Sequence, residues 1–438
     1  MTKKGLLFLS LFAMMIASPV FATLNIELTQ GIAASIPIAV LPFTDAGTAP
    51  TQNNQDISTI ISNDLAHSGQ FSVLNATAYD QYPHTVNAID ATYWQKKGVN
   101  DIVVGQMQAL PNGQYKITVT VVNLYNQAPD NVLLTQEYTV SKQSLRRVAH
   151  HISDQIYQQL TGVPGIFSTQ LAYVLVQRHV NMPTKYMLMV SDEDGYNANP
   201  VLISTQPVMS PSWSPDGKML SYVSFETYLP QIYTSDIATG KRRLITSFNG
   251  INGAPEWSPD GTQLAVALSR GRGNPNIYTL NLSSGQLKQI TNDFSINTEP
   301  TWTKDGHSLL FTSDRGGSPQ IYEINLDTKA SQRLTFNGNY NASASLSQDG
   351  NEIGLLNRQG GGFNIAVLNL QSGQLSVLTR AGNNQSPSMA PNGKIIVYAT
   401  QSGGRQVLAM VSTDGKVNIQ LPDQLGDVQE PTWSPFLS

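Results

Sequence analysis

The chain has 438 residues, no cysteine, a formal net charge of −4 and only 13% charged residues. With no basic run it is a poor candidate for nucleic-acid binding, and with no cysteine it has neither disulfides nor a lipidated N-terminal thiol. Its length exceeds one ordinary domain and suffices for two.

In chain order, the first segment is an address. Lys3 and Lys4 precede an uncharged apolar run from Gly5 to Ser18, and "VFA" closes on Ala22. The run is shorter than the ~20 residues a spanning helix needs and carries the flanks of a secretory signal. A signal peptide over 1–22 is therefore expected, cleaved after Ala22. Loss of Lys3 and Lys4 takes the formal charge from −4 to −6, and no later stretch spans a membrane. The mature start, "TLNIELTQGI" at 23–32, alternates Leu24, Ile26 and Leu28 with polar residues. That pattern fits strand addition to a partner's sheet edge as well as an ordinary first strand of the following domain.

Residues 23–162 read as a mixed α/β domain. "IPIAVLPF" (36–43) suits a buried strand, and "DIVVGQMQ" (101–108) and "YKITVTVVNLY" (115–125) read as two more. "DISTIISNDLAHSG" (56–69) puts Ile57, Ile60, Ile61 and Leu65 on one helical face, with Gly69 at the stop. A second helix carries Leu145, Val148, Ile152, Ile156 and Leu160 as a stripe, with Ser144 as its expected N-cap and Gly162 past its end. On that helix His150 and His151 stand near Asp154. Adjacent helical residues point about 100° apart, and the spaced pair His151 and Asp154 gives two ligands where a closed zinc site needs four. A solvated polar face is the expectation, with no metal. "GVPG" (162–165) is the hinge into the second domain.

From 166 to 438 the chain repeats. Trp213, Trp257, Trp302, Leu346, Met389 and Trp433 occupy one slot at steps of 44, 45, 44, 43 and 44 residues. A series ending at Thr246, Thr291, Thr335 and Thr379 keeps the same period. Each unit holds four short apolar or alternating runs separated by turn residues such as Ser-Pro-Asp-Gly. Four strands at a period near 44 describe a β-propeller blade. "TQLAYVLVQ", "KYMLMVSD" and "PVLIST" (169–205) lack a first strand, and "QEPTWSP" (429–435) supplies it. The expected fold is an α/β N-terminal domain followed by an all-β six-bladed propeller, closed by pairing of the C-terminal strand with the first propeller segment. The tryptophans are expected to pack between blades, because Leu346 and Met389 fill the same slot.

Searches for chemistry come back empty. No GxSxG, HExxH or Walker loop occurs, and "GRGNPN" (271–276) lacks a third glycine and a following helix. "DEDG" (192–195) begins like a calcium loop, but the residues after it do not continue the ligand pattern. In an up-and-down blade alternate connections share a face, so the short turns lie on one side and the longer connections, rich in Asn, Gly, Ser and Thr, on the other. Loops on a rigid ring are where binding usually sits. No catalytic residue and no cofactor is expected.

"RRVAHHISDQIYQQLTGVPGIFSTQLAYV" (146–174), "NGAPEWSPDG" (252–261), "NTEPTW" (297–302) and the closing "PTWSPFLS" (431–438) resemble the TolB family. These are periplasmic propellers of the Tol-Pal cell-envelope system of Gram-negative bacteria, and the resemblance covers the whole chain in order. It implies a non-enzymatic periplasmic adaptor, a monomer within a larger envelope complex, that supports outer-membrane integrity and constriction during cell division. It implies binding of the Pal lipoprotein at the propeller mouth, through Ile251, Asn252, Gly253, Ala254, Asn297, Thr298 and Glu299. Family members often carry His where this chain has Ile251, so a polar contact is not carried over there. It also implies binding of the TolA C-terminal domain by the mobile segment 23–32, through Thr23, Leu24, Asn25, Ile26, Glu27 and Leu28. The alternative reading is a lactonase- or lyase-like propeller enzyme with an axial metal.

Overall fold

Alternation along one strand organises the first domain. Ile38 and Val40 point to one side of Ile36–Val40 and pack beneath helix α1 (Ile57–His67) and a 17-residue helix, Leu145–Thr161. Ala39 and the adjoining Leu41 point to the other side, where they meet Trp94 and Tyr79. The period-2 alternation of strand side chains thus gives the sheet two buried faces. Trp94 lies on α2 (Ala91–Lys96), whose N-cap Asp90 accepts from the Tyr93 amide at 3.2 Å; Leu145–Thr161 is α3. The five-stranded sheet runs Phe71–Val73, Ile36–Val40, Asp101–Ala109, Gln114–Asn123, Val132–Ser141, the first three parallel and the rest antiparallel. This structure is a computed structural model describing residues 26–28, 35–43, 57–270, 273–380 and 382–437. The expected signal peptide, its cleavage point at Ala22, and Thr23, Leu24 and Asn25 lie outside the described residues.

Two expectations for α3 need correction. Ser144 makes no side-chain cap: a 3₁₀ turn over Lys142–Ser144 has already set it in helical conformation, and its hydroxyl meets Ser141 instead. Nor is the polar face wholly solvated. His151 is exposed, but His150 is buried, its ring turned toward Asp64 of α1 at 2.9 Å. The helix ends as expected on Gly162, at φ 74°, where a left-handed residue suits glycine.

The connection out of α3 is fastened. Asp154 accepts from the Phe167 amide at 2.7 Å and the Ser168 amide at 3.1 Å. Gly165 passes so close that a Cβ would lie 2.4 Å from the Asp154 backbone, so no larger residue fits.

The remaining strands form six sheets in a ring. Blade I joins Asp427–Trp433 to Gln170–Gln177, Lys185–Asp192 and Asn199–Ser204, with Val428 opposite Leu175 and Trp433 opposite Leu171. The two chain regions are also tied by Trp433 Nε1 donating to Thr169 Oγ1 at 2.7 Å and the Gln170 amide donating to Ser434 Oγ at 2.9 Å. Blades II to VI begin on Val208–Trp213, Asn252–Trp257, Asn297–Trp302, Tyr340–Leu346 and Gln385–Met389. Their tryptophans are buried between blades. Trp302 Nε1 reaches back to the Glu256 carbonyl at 3.2 Å, and Trp213 Nε1 to the Thr432 carbonyl at 3.2 Å.

Ile26–Leu28 does not join the α/β sheet. It pairs antiparallel with Val417–Gln420, the outermost strand of blade VI, in the register Ile26 to Ile419, Glu27 to Asn418 and Leu28 to Val417. Strand Ile36–Val40 already has a neighbour on each side, whereas the rim of a blade offers an unpaired edge. Among the described residues no helix is long and apolar enough to cross a membrane.

Candidate functional site

The two faces of the propeller differ in construction. On one, each short turn is locked by its own side chains: Ser214 Oγ donates to Asp216 at 2.6 Å, and that carboxylate accepts the Lys218 amide at 3.1 Å. Ser258 with Asp260, Thr303 with Asp305 and Ser347 with Asp349 repeat the lock at 2.6 Å. The α/β domain rests on this face. Arg146 pairs with Asp192 and Asp194 of a blade I turn, Asn392 of a blade VI turn donates to the Pro164 carbonyl at 3.1 Å, and Gly69 abuts Val417. Among the described residues the ties of that domain run to the short-turn face, and the longer connections lie opposite.

Between the faces runs a channel of about 570 Å³ lined by the six inner strands. Each inner strand carries a β-bulge three residues before the repeat's marker position. The bulged residues Ser210, Ala254, Glu299, Ser343, Ser386 and Glu430 all sit at φ between 45° and 54°. A left-handed backbone at a non-glycine residue is uncommon, and its sixfold recurrence marks a built feature that turns these side chains to the axis. Two of them are carboxylates, Glu299 and Glu430, and Glu256 beside the Ala254 bulge adds a third to the channel lining. Glu299 accepts from Thr312 Oγ1 at 2.7 Å, the Ser343 amide at 2.9 Å and Ser343 Oγ at 2.8 Å. Glu256 accepts from Ser212 Oγ at 2.7 Å, and burial pushes its pKa up to about 7 against that bond. Burial also raises Glu430, opposed by hydrogen bonds from Ser210 and reinforced by the charge of Glu299.

The residues expected at the mouth fall into three groups. Asn252 and Asn297 are buried, at 1% and 0% exposure, and fasten their loops from beneath. Asn252 exchanges bonds with the Phe248 carbonyl at 2.6 Å and amide at 3.1 Å, and Asn297 donates to Asp293 at 2.9 Å. Gly253, Ala254, Thr298 and Glu299 are half-buried, Glu299 turned into the channel. Ile251 is exposed, at 47%.

Sequence reasoning missed the apolar side chains beside them. Phe294 is 99% exposed and Phe336 71%, and Tyr228, Phe248, Ile296 and Leu425 are also exposed on connections of the same face. Arg270 and Arg333 stand over Phe248 and Phe336, ring centroids 5.4 and 5.1 Å away. A signal was present: in three successive units a phenylalanine follows the repeat's threonine within three positions, as Thr246 to Phe248, Thr291 to Phe294 and Thr335 to Phe336. Exposed rings gathered on one face make it the candidate interaction surface.

Comparison with known proteins matches both halves of the chain. A family model described as the TolB amino-terminal domain matches residues 24–129, and the TolB beta propeller domain matches residues 157–437. This chain belongs to the TolB family. The Tol-Pal system protein TolB of Coxiella burnetii is 50% identical over 440 residues, covering 100% of both chains. That of Alcanivorax borkumensis is 50% identical over 95% of this chain and 94% of its own. The crystal structure of TolB from Acinetobacter baumannii superposes with a TM-score of 0.84 at 39% identity, over 94% of this chain and 100% of that one. The propeller match begins at residue 157, inside α3 and just past Asp154, and takes in the Phe167 and Ser168 amides that Asp154 holds. Among the described residues, no three His or carboxylate ligand atoms gather in this TolB channel; the groupings within 4.8 Å lie at the domain seam.

Proposed function

We propose that the chain is a non-enzymatic periplasmic adaptor of the Tol-Pal system, binding the Pal lipoprotein on the long-loop face and the TolA C-terminal domain through residues 23–32. In this role it supports outer-membrane integrity and constriction during division. The observation that carries the reading is the set of exposed apolar side chains on the long connections, the face opposite the short turns on which the α/β domain rests. Ile251, Phe294 and Phe336 are the direct contacts, with Gly253, Ala254, Thr298 and Glu299 at the inner margin. Asn252 and Asn297 contribute by fixing the loops that present them. For TolA, Ile26, Glu27 and Leu28 offer strand-forming backbone, with Thr23, Leu24 and Asn25 extending it. That backbone pairs along one edge with Val417–Ile419 of blade VI, and in this reading release from that edge frees the segment for TolA. The same segment then has two alternative edges, and occupancy of the mouth by Pal biases which it takes.

Calorimetric titration of the mature protein with a soluble Pal domain tests this. Binding is expected in the parent and lost or greatly weakened in Phe294→Ala/Phe336→Ala, whose exposed positions leave the melting temperature unchanged. Failure of a folded parent to bind Pal would overturn the reading. The axial-metal hydrolase alternative predicts metal-dependent turnover, and nothing in the channel favours it.

A further inference from the structure

Two phrases of the sequence that lead nowhere separately, the paired histidines of α3 and the Asp-Glu-Asp-Gly turn of blade I, meet at the seam between the domains. Asp64 comes from α1, His150 from α3 and Glu193 from the turn after Lys185–Asp192. His150 Nδ1 stands 2.9 Å from Asp64 Oδ2 and 3.9 Å from Glu193 Oε1, and one ligand atom from each of the three falls within 4.8 Å of the others. They are 1%, 2% and 5% exposed in chain order, so the group is closed to bulk water.

Arg146 acts on Glu193 by its charge, and no direct Arg146–Glu193 ion pair forms among the described residues. Arg146 is engaged by Asp192 at 2.8 Å and by Asp194, and Asp154 is taken up by the amides of Phe167 and Ser168. His67, also at this seam, faces Asp64 and Asp194. Glu193 Oε1 is buried with no hydrogen-bond partner, aimed at the gap between His150 and Asp64. A carboxylate left so is costly unless a cation completes it. One imidazole nitrogen and two carboxylate oxygens converging on one point form the mixed N/O donor set that zinc accepts, with a fourth position left for water.

We infer that Asp64, His150 and Glu193 form a three-ligand zinc site that clamps the α/β domain to blade I. Nδ1 of His150 is the ligating atom, and Nε2, buried and without a partner among the described residues, then carries the ring proton. Asp192 and Asp194 also bring oxygens near His150, but Arg146 holds both, which keeps them outside the ligand set. The ion would fix a seam that also includes Gly69 against Val417, in the strand on which Ile26–Leu28 docks.

The test is calorimetric titration of the chelator-treated mature protein with zinc chloride, paired with melting curves and with cobalt(II) absorption. The parent is expected to bind one equivalent of zinc, to melt at a higher temperature with it, and to give a visible cobalt band of low-coordinate N/O type. Glu193→Gln keeps the side chain's shape and removes its charge, so the zinc-free variant folds. It is expected to lose zinc affinity by about tenfold or more and to lose the melting shift. His151→Gln, an exposed neighbour, is expected to bind as the parent does. No binding by the folded parent, or equal zinc affinity in parent and Glu193→Gln, would overturn the inference.

Discussion

At the scale of the residue, three side chains test how single contacts set stability. Asp154 satisfies two amides of a linker pressed against its own helix, although burial raises its pKa to about 6 against those bonds. Asp154→Ala strands both donors, and a loss of about 2 kcal/mol in denaturant unfolding is expected. Glu256 tests the channel. Its folded-state pKa of about 7 exceeds the ordinary 4.5, so the folded protein holds this proton through the window between them. That contribution to stability is complete below about pH 4.5 and is lost as pH rises through 7. Glu256→Gln, which can still accept from Ser212, is expected to melt above the parent at pH 8 and level with it at pH 4. An equal shift at both pH values would show that the charge is not the cause. Leu346 is a third case. It fills a slot where tryptophan reaches back to the preceding blade, and a cleft of about 560 Å³ lies beside it, walled by Leu310, Leu334 and Leu370 and rimmed by Lys304, Asp305, Glu323 and Asp349. Leu346→Trp is expected to stabilise the fold by roughly 1–2 kcal/mol by filling that cleft, read as a raised melting temperature.

At the scale of the element, what was legible followed from periodicity. The stripe from Val148 through Ile156 named the buried face of α3, and the marker threonines named strand ends; Thr291 and Thr335 each accept an amide, of Ile277 and Ile321, from the neighbouring strand. Positions whose partners come from distant elements were not legible. The pattern of Ile26–Leu28 states that it is a strand but carries nothing about which edge receives it. His150 looked like surface because its helix is polar around it, and only the arrival of Asp64 and Glu193 from other elements buries it. Asn252 and Asn297 looked like loop polarity, yet they are the cores of their loops, because a closed turn must satisfy its own carbonyls. The docked strand is open to direct measurement. Glu27→Pro puts a residue without an amide donor, and with a fixed φ, in the middle of the docked strand opposite Asn418. Hydrogen exchange is expected to accelerate across Val417–Ile419 while the central strands of blade VI keep their protection. Unchanged exchange at Val417–Ile419 would mean the strand does not shield that edge in solution.

At the scale of the whole molecule, the ring was readable because its units repeat one packing problem. A blade cannot bury both its faces alone, so each must lean on two neighbours, and an open ring would leave two terminal blades half covered. Blade I solves this by drawing its inner strand from Asp427–Trp433 and its other three from residues before 205. Val428 and Trp433 are buried in the same cluster as Leu171 and Tyr173 of blade I and Val397 and Leu408 of blade VI. Removing residues 427–438 therefore does more than shorten one sheet. It exposes the edge of Gln170–Gln177, takes the Thr169 and Gln170 ties with it, and uncovers the flank of blade VI that packs against Val428 and Trp433. The expected outcome is one cooperative loss for the propeller, with a large fall in melting temperature and in denaturant midpoint. Truncation at 434, which spares the strand and its tryptophan, is expected to cost far less. If the two truncations melt alike, closure at blade I does not hold the ring, and the stability of the propeller must reside in the five blades drawn from continuous sequence.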